Sequence, residues 1–237
     1  MTHKNYLFDI DGTLTPPRLT IEPEFEEFFF NWMQGKSVYL VTGSDMKKVK
    51  EQLSERIISS CSGIFCSMAN ELYINDSIIY KNELDLPIQL INYLQNKIKL
   101  TNYPDICHEH FEFRTGMLNY SIIGRDCTQQ QRLHYYEWDK QNKEREEIAS
   151  YINDNFDNVE AAVGGQISID IQNKGNNKSL ASKWIRKNIG GLIYFFGDRT
   201  FKGGNDYDIC IDIEEHNDGK FFQINEQEML KGILNSI

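Results

Sequence analysis

Residues 5–15 read NYLFDIDGTLT, which sets two carboxylates, Asp9 and Asp11, one residue apart at the end of an apolar run. Side chains alternate along a strand, so both carboxylates can converge on one side while Ile10 points to the other. Two such groups stay ionised together only beside a cation; otherwise one takes up a proton. Oxygen-only ligands suit Mg²⁺, which also binds phosphate oxygens, and a carboxylate can attack phosphorus to carry an aspartyl-phosphate. Gly12 lets the chain turn sharply away from the strand end. A calcium loop is the competing reading, but an EF-hand places its glycine sixth and follows a helix, whereas Gly12 is fourth and follows a strand. Phosphoryl transfer is the stronger reading.

A second signal lies near the other end of the chain, in IYFFGDRTFKGGNDYDI at 193–209. Asp198 ends an apolar run as Asp9 does, and Asn205 and Asp206 follow on a loop loosened by Gly203 and Gly204. A third carboxylate at a strand end completes a Mg²⁺ site that keeps several positions for water or phosphate oxygens. Gly-Asp alone is a common loop start. Paired with Asp-x-Asp-Gly it becomes a site.

These residues need elements to hold them. Tyr6–Phe8 predict a strand over 5–11, IEPEFEEFFFNWMQG a helix closed by Gly35, and SVYLVTGSD a strand running into a small-residue loop. MKKVKEQLSERI reads as one charged helix and GIFCSMANELYIND as a strand and hairpin. Strand–helix alternation implies a doubly wound parallel sheet, whose ligands gather at the carboxyl ends of the strands. Asp9 and the Thr42–Asp45 loop both fall there. From about residue 83 the texture changes. LPIQLINYLQNKIKL predicts a helix, HEHFEFRTGMLNYSIIG two strands, TQQQRLHYYEWDKQNKEREEIASYINDNF one long helix, and VEAAVGGQISIDIQ a further strand. Alternation returns with a helix at 179–188 and the strand before Asp198. The expectation is a Rossmann-like α/β core, 1–82 with 178–237, interrupted by an α+β insert with an antiparallel sheet at 83–177.

The bulk properties set limits. The 237 residues carry 25 Lys and Arg against 35 Asp and Glu, a formal charge of −10, which argues against nucleic acid or an acidic membrane as partner. No apolar run reaches membrane-spanning length, and the first residues lack the long apolar stretch of a signal peptide. Five cysteines, an odd number without a Cys-x-x-Cys, favour reduced thiols in the cytoplasm. His108 and His110 make only two metal ligands and read as exposed strand residues. The aromatics of FEEFFFNWM read as core, and Trp138 as part of a solvated or dimer-facing helix.

FDIDGTLT, VYLVTGSD, Lys178 and FFGDRTFKGGND together resemble the four ordered motifs of the haloacid dehalogenase (HAD) superfamily. FEFRTGMLNYSIIGR, GGQISIDI, FKGGNDYDI and the PPR after the first motif narrow the resemblance to the eukaryotic-type α-phosphomannomutases, over essentially the whole chain. The resemblance implies a HAD core with a cap domain at 83–177. It also implies a Mg²⁺-dependent mutase that interconverts mannose 6-phosphate and mannose 1-phosphate, with the glucose phosphates as a second pair. Hexose 1,6-bisphosphate would be both intermediate and activator, and a homodimer would form through the cap. Asp9 would be the nucleophile and Asp11 the general acid and base. Asp9, Asp11 (through its carbonyl) and Asp198 would hold Mg²⁺, and Lys178 would contact the phosphorylated aspartate. Either Thr42 or Ser44 would meet the transferring phosphoryl group. Arg18, Arg114, Arg125 and Arg132 would grip substrate, Ser168 and Asp170 the sugar, and Cys210 (through its backbone), Asp212 and Glu215 a second, structural cation.

The residues read alone agree with part of this. Arginine's planar fork grips phosphate bidentately, and Arg125 and Arg132 flank the start of a helix, where free N–H groups favour anions. Ser168 and Asp170 share one strand face, and Gly164 and Gly165 would let a ligand approach the backbone. Where the family reads Phe-Pro-x-Gly-Trp-Asp-Lys, this chain has Gln172 to Asn177 before Lys178, and Ala69-Asn70-Glu71 replaces Glu-Asn-Gly. A hydrolytic sugar phosphatase of the same superfamily, or a silent phosphosugar-binding protein, are the alternatives.

Overall fold

The computed structural model describes residues 3–17 and 19–237. The chain first runs through β1 (Lys4–Phe8), α1 (Pro23–Met33), β2 (Ser37–Val41), α2 (Met46–Gln52), α3 (Glu55–Ser60), β3 (Gly63–Cys66), β4 (Glu71–Ile74) and β5 (Ser77–Lys81). An inserted stretch follows: α4 (Ile88–Leu100), β6 (Phe111–Arg114), β7 (Met117–Tyr120), α5 (Gln129–Asn142), α6 (Glu144–Asn155), β8 (Val159–Gly164) and β9 (Ser168–Asn173). The last stretch is α7 (Ser179–Asn188), β10 (Leu192–Gly197), α8 (Tyr207–His216), β11 (Gly219–Gln223) and α9 (Gln227–Leu234). Two compact units result, Met1–Lys81 with Asn176–Ile237, and Asn82–Gly175.

In the first unit the sheet order is β11-β10-β1-β2-β3-β4-β5, parallel from β11 to β3 and then extended by an antiparallel hairpin. Strand alternation explains its layers. Tyr6 and Phe8 face a cluster with Phe25 and Phe29 of α1 and Leu230 and Leu234 of α9, while Leu7 faces Ala181 and Ile185 of α7 and Ile209 and Ile213 of α8. Both faces are therefore covered, as a parallel sheet requires. The α1 aromatics are core, with Phe8 and Phe29 edge to face at 5.1 Å.

The second unit carries an antiparallel sheet in the order β6-β7-β9-β8. Leu118, Tyr120, Ile169 and Ile171 turn one face toward Leu90 and Leu94 of α4, Tyr135 of α5 and Ile148 and Ile152 of α6. The alternate positions belong to the other face. Register lines Glu112, Asn119, Asp170 and Ala162 up across all four strands there.

Several expected elements are corrected. The strand over 5–11 stops at Phe8, so Asp9 and Asp11 lie beyond it. The helix over 46–57 is two, because Leu53 is extended and Ser54 restarts the chain. The long helix over 128–156 breaks at Lys143, which adopts a left-handed conformation at φ 58°. The apolar and charged pattern continues smoothly across that residue, and no glycine marks it. VEAAVGGQISIDIQ is a hairpin of two strands turning at Gly164–Gly165. His108 and His110 lie outside the strands, His110 with its Nδ1 2.9 Å from the Ser121 carbonyl oxygen. Trp138 packs on its unit's core, its ring 5.3 Å from that of Tyr103.

Candidate active site

The first site begins at three adjacent strand ends. Phe8 pairs with Phe196 on one side and Leu40 on the other, so Asp9, Asp198 and Thr42 leave the sheet along the same edge. The Asp9 N–H donates to the Phe196 carbonyl at 2.9 Å, which fixes its backbone against β10. Lys178, at the start of α7, has no exposed surface and places Nζ 2.5 Å from Asp9 Oδ1 and 2.6 Å from Asp206 Oδ1. Asn177 Oδ1 accepts the Ser179 N–H at 2.9 Å, so the altered linker still supplies an acceptor to the first N–H of the helix that follows Lys178. Asn176 donates to Asn70 Oδ1 at 2.8 Å, which joins the two segments that depart from the family pattern.

Asp9, Asp198 and Asp206 offer oxygens within 4.8 Å of one another, among the described residues the one such acidic cluster. Two glycines make room for it. A Cβ on Gly12, at φ +86°, would lie 2.3 Å from Asp198 Oδ2, and one on Gly197 2.5 Å from Asp206 Oδ2. Asp198 Oδ1 and Asn205 Oδ1 are buried with no hydrogen-bond partner. Orphaned, oxygen-only donors of this kind fit Mg²⁺. Burial pushes the Asp9 carboxyl up to about 7, with Asp206 and Asp198 adding to the rise against the pull of Lys178. Burial likewise raises Asp198, helped by the charge of Asp206. Burial opposes the charge on Lys178, but Asp9 and Asp206 outweigh it and hold the ammonium above its usual range.

Asp11 does not converge with Asp9. Its carboxylate lies outside that cluster and accepts from Gln52 Nε2 at 2.8 Å. Thr42 is buried, and its hydroxyl accepts the Ser44 N–H at 3.1 Å, which keeps both candidates on one tight turn. Asp206 belongs to the ionic core although sequence reasoning took it only as a loop residue. The signal was Gly203–Gly204 followed by two polar side chains. Gln52 was missed because an amide in a charged helix reads as solvated.

The second unit holds a separate polar cluster. Arg114 Nε reaches Glu112 Oε1 at 2.9 Å, and Arg125 pairs with the other oxygen of Glu112. Arg125 also donates to Asn119, which donates to Asp170. Burial lowers the Arg125 guanidinium below its usual range, and Arg114 and Arg132 lower it further against Glu112, so three arginines act on one another here. Burial raises the Asp170 carboxyl above its ordinary value, opposed by Asn119 and the two nearer arginines. The Ser168 hydroxyl donates to the Gly164 carbonyl at 3.1 Å. The space over Gly164 belongs to Asp170, whose Oδ2 would lie 2.4 Å from a Cβ there, so that glycine admits a side chain of the protein itself. Glu112 and Asn119 were not foreseen from sequence.

Arg18 lies outside the described residues. Asp212 Oδ2 accepts from Ser182 at 2.5 Å and from Arg186 at 2.9 Å, and Glu215 is exposed.

The sequence profile described as eukaryotic phosphomannomutase matches residues 25–219, a stretch that begins after Asp9 and Asp11. A phosphomannomutase of Dendrobium officinale is 36% identical over 211 residues, covering 86% of this chain and 83% of its own. Phosphomannomutase 1 of Dictyostelium discoideum is 34% identical over 214 residues, covering 87% and 86%. Among solved structures, a haloacid dehalogenase-like hydrolase from Bacteroides thetaiotaomicron matches with a TM-score of 0.65 at 13% identity, over 99% of both chains. A trehalose-6-phosphate phosphatase of Aspergillus fumigatus matches at 0.57 and 12% identity, over 99% of this chain and 92% of that one. At such identities the structural likeness establishes the HAD-like fold alone.

Proposed function

The chain belongs to the eukaryotic phosphomannomutase family, and on that premise we propose that it interconverts mannose 6-phosphate and mannose 1-phosphate through an aspartyl-phosphate on Asp9. The observation that carries the proposal is the buried Lys178 bridging Asp9 and Asp206 beside Asp198. A carboxylate nucleophile reacts as its anion, which a dry site disfavours, and an ammonium at hydrogen-bond distance opposes that penalty. Asp9 attacks phosphorus as the bond to the sugar oxygen breaks, and Asp11 gives that oxygen a proton. On the return, Asp11 takes a proton from the other sugar hydroxyl as it attacks phosphorus and Asp9 leaves. Mg²⁺, held by Asp9, Asp198 and Asp206 with the Asp11 carbonyl, would supply Lewis-acid neutralisation of phosphate charge.

A mutase also needs a cationic grip on the phosphate that is not being transferred. Arg114, Arg125 and Arg132 of the second unit supply fork-shaped donors for it, with Arg18 as a fourth, and Ser168 and Asp170 suit sugar hydroxyls. Either Thr42 or Ser44 would donate to the transferring group. Hexose 1,6-bisphosphate is the activator in this proposal. A homodimer through the second unit is also part of it, supported by Phe113, 64% exposed on the outer strand β6. Five free cysteines fit the cytoplasmic setting, and among the described residues no helix is long and apolar enough to cross a membrane.

Phosphorus NMR of the protein with mannose 1-phosphate, Mg²⁺ and a hexose 1,6-bisphosphate tests the whole reading. Mannose 6-phosphate is the expected product. Release of free phosphate would make the protein a phosphatase, and an unchanged spectrum a binding protein.

A further inference from the structure

Asp11 accepts a hydrogen bond from a buried side chain that no catalytic motif contains. Gln52 closes α2 and is almost fully buried. Its Nε2 lies 2.8 Å from Asp11 Oδ1, 3.2 Å from Thr15 Oγ1 and 3.3 Å from the Leu19 carbonyl oxygen. A carboxylate and a carbonyl offer only acceptors, so chemistry turns the NH₂ end of the amide toward them. The Gln52 carbonyl accepts the Ile21 N–H at 2.8 Å, so backbone and side chain of one residue both fasten the segment that follows Asp11.

That segment is tied in the same place from within. Asp11 and Thr15 form a β-bridge, the Gly12 N–H donates to the Thr15 carbonyl at 2.8 Å, and the Thr15 hydroxyl donates to the Ile10 carbonyl at 3.3 Å. Gln52 Oε1 is buried without a partner. The donor end alone accounts for an amide at this position, and its shortest bond goes to the carboxylate.

We propose that Gln52 is a positioning residue that aims the Asp11 carboxyl at the sugar oxygen of the reacting phosphate. The inference rests on the acid and base role given to Asp11 above. In the step it serves, the Asp9–phosphorus bond forms, the phosphorus–sugar oxygen bond breaks, and the proton of Asp11 passes to the departing oxygen.

Leaving groups separate this role from a structural one. Acetyl phosphate releases acetate, a stable carboxylate that needs no proton, whereas a hexose bisphosphate releases the hexose monophosphate as an alkoxide that does. Gln52→Met keeps the side-chain length and removes both donors, and Gln52→Glu keeps the shape and replaces the donor with an acceptor. With Mg²⁺ and the full chain, Asp9 phosphorylation from hexose 1,6-bisphosphate is expected to slow about 100-fold in each variant, the lower end of what general acid catalysis supplies. Phosphorylation from acetyl phosphate should change less than about threefold. Asp11→Asn should show the same selectivity, and circular dichroism checks each fold. If Gln52→Met fails to fold, Gln52→Glu carries the comparison. Equal slowing with both donors in the Gln52 variants, beside a selective Asp11→Asn, overturns the positioning role and leaves the acid role intact. Equal slowing in Asp11→Asn as well removes the acid role, and the inference with it.

Discussion

The candidate site of each compact unit crowds opposite charges, but at different depths. The Lys178 side chain has no exposure and that of Asp9 3%, whereas Arg125 keeps 23% and Glu112 40%. Buried partners attract each other through a weakly screening medium, and removing either strands the other. Gly12 and Gly197 tighten that arrangement further, since any side chain there would overlap a carboxylate. On the open sheet face of the second unit, water competes for every pair, and an arginine can trade Glu112 for another anion at small cost. Fixed partners suit the breaking and making of bonds. Exchangeable partners suit recognition.

The comparison breaks first at the nucleophile. Asp9→Asn cannot supply an anion to phosphorus, so turnover should fall on the order of 10⁴-fold or more with the fold retained. Activity within about tenfold of the parent, in protein of checked purity, would remove Asp9 from that role. Lys178→Met tests the depth itself. It leaves Asp9 and Asp206 buried without their ammonium, a loss of about 3–5 kcal/mol in urea unfolding. A loss under about 1 kcal/mol would mean that water reaches the pair and that the two regions do not differ in kind.

The second unit should respond in binding rather than in stability. Arg125→Ala removes a half-buried fork, which places its cost near the lower end of about 2–5 kcal/mol in binding a phosphosugar. Aspartyl-phosphate formation from acetyl phosphate should be spared, because its chemistry belongs to the first unit. If flux and phosphoryl-enzyme formation fall together, Arg125 supports folding instead. Chelation of Mg²⁺ by EDTA, followed by activity and circular dichroism together, should silence the reaction while the sheet persists. Simultaneous loss of both signals would make the metal structural.

The first unit was more legible than the second for the same physical reason. A parallel sheet buried on both faces writes its strands as apolar runs, and its ligand edge follows from where those runs end. Asp9, Asp198 and the helix after Lys178 could be read that way. What could not be read was where side chains point once the strand stops: Asp11 turned to Gln52, and Asp206 joined Asp9. In the second unit, one half-covered sheet leaves short strands and mixed patterns. The left-handed Lys143 carries no glycine to announce it, and the hairpin at Gly164–Gly165 reads equally as one strand. The arginines came from the family resemblance. Their counter-charge, Glu112, came only from the fold.

Glu112 offers the smallest and most discriminating test. One of its oxygens takes Arg114 and the other Arg125, so it offsets part of the charge of the cluster that the proposal assigns to phosphate. Glu112→Gln keeps the shape and removes the charge. Because the pair is two-fifths exposed on the acid's side, the stability change should stay within about 1 kcal/mol. Burial raises the Glu112 carboxyl, but its bond to Arg114 and the charges of both arginines hold it below its ordinary range. A carboxyl depressed in the folded state stabilises above its unfolded value, and that contribution disappears as pH falls through the folded one. The two proteins should therefore differ slightly near neutrality and converge below the usual carboxylate range. Binding should move the other way: with their internal anion gone, the arginines should hold mannose 6-phosphate more tightly at low ionic strength, by a factor of a few, and lose that gain as salt rises. Calorimetric titration of both proteins decides it. Weaker binding by the glutamine variant would mean that Glu112 orients the arginines as firmly as Lys178 fixes Asp9, and the contrast between exchangeable and fixed charges would fail.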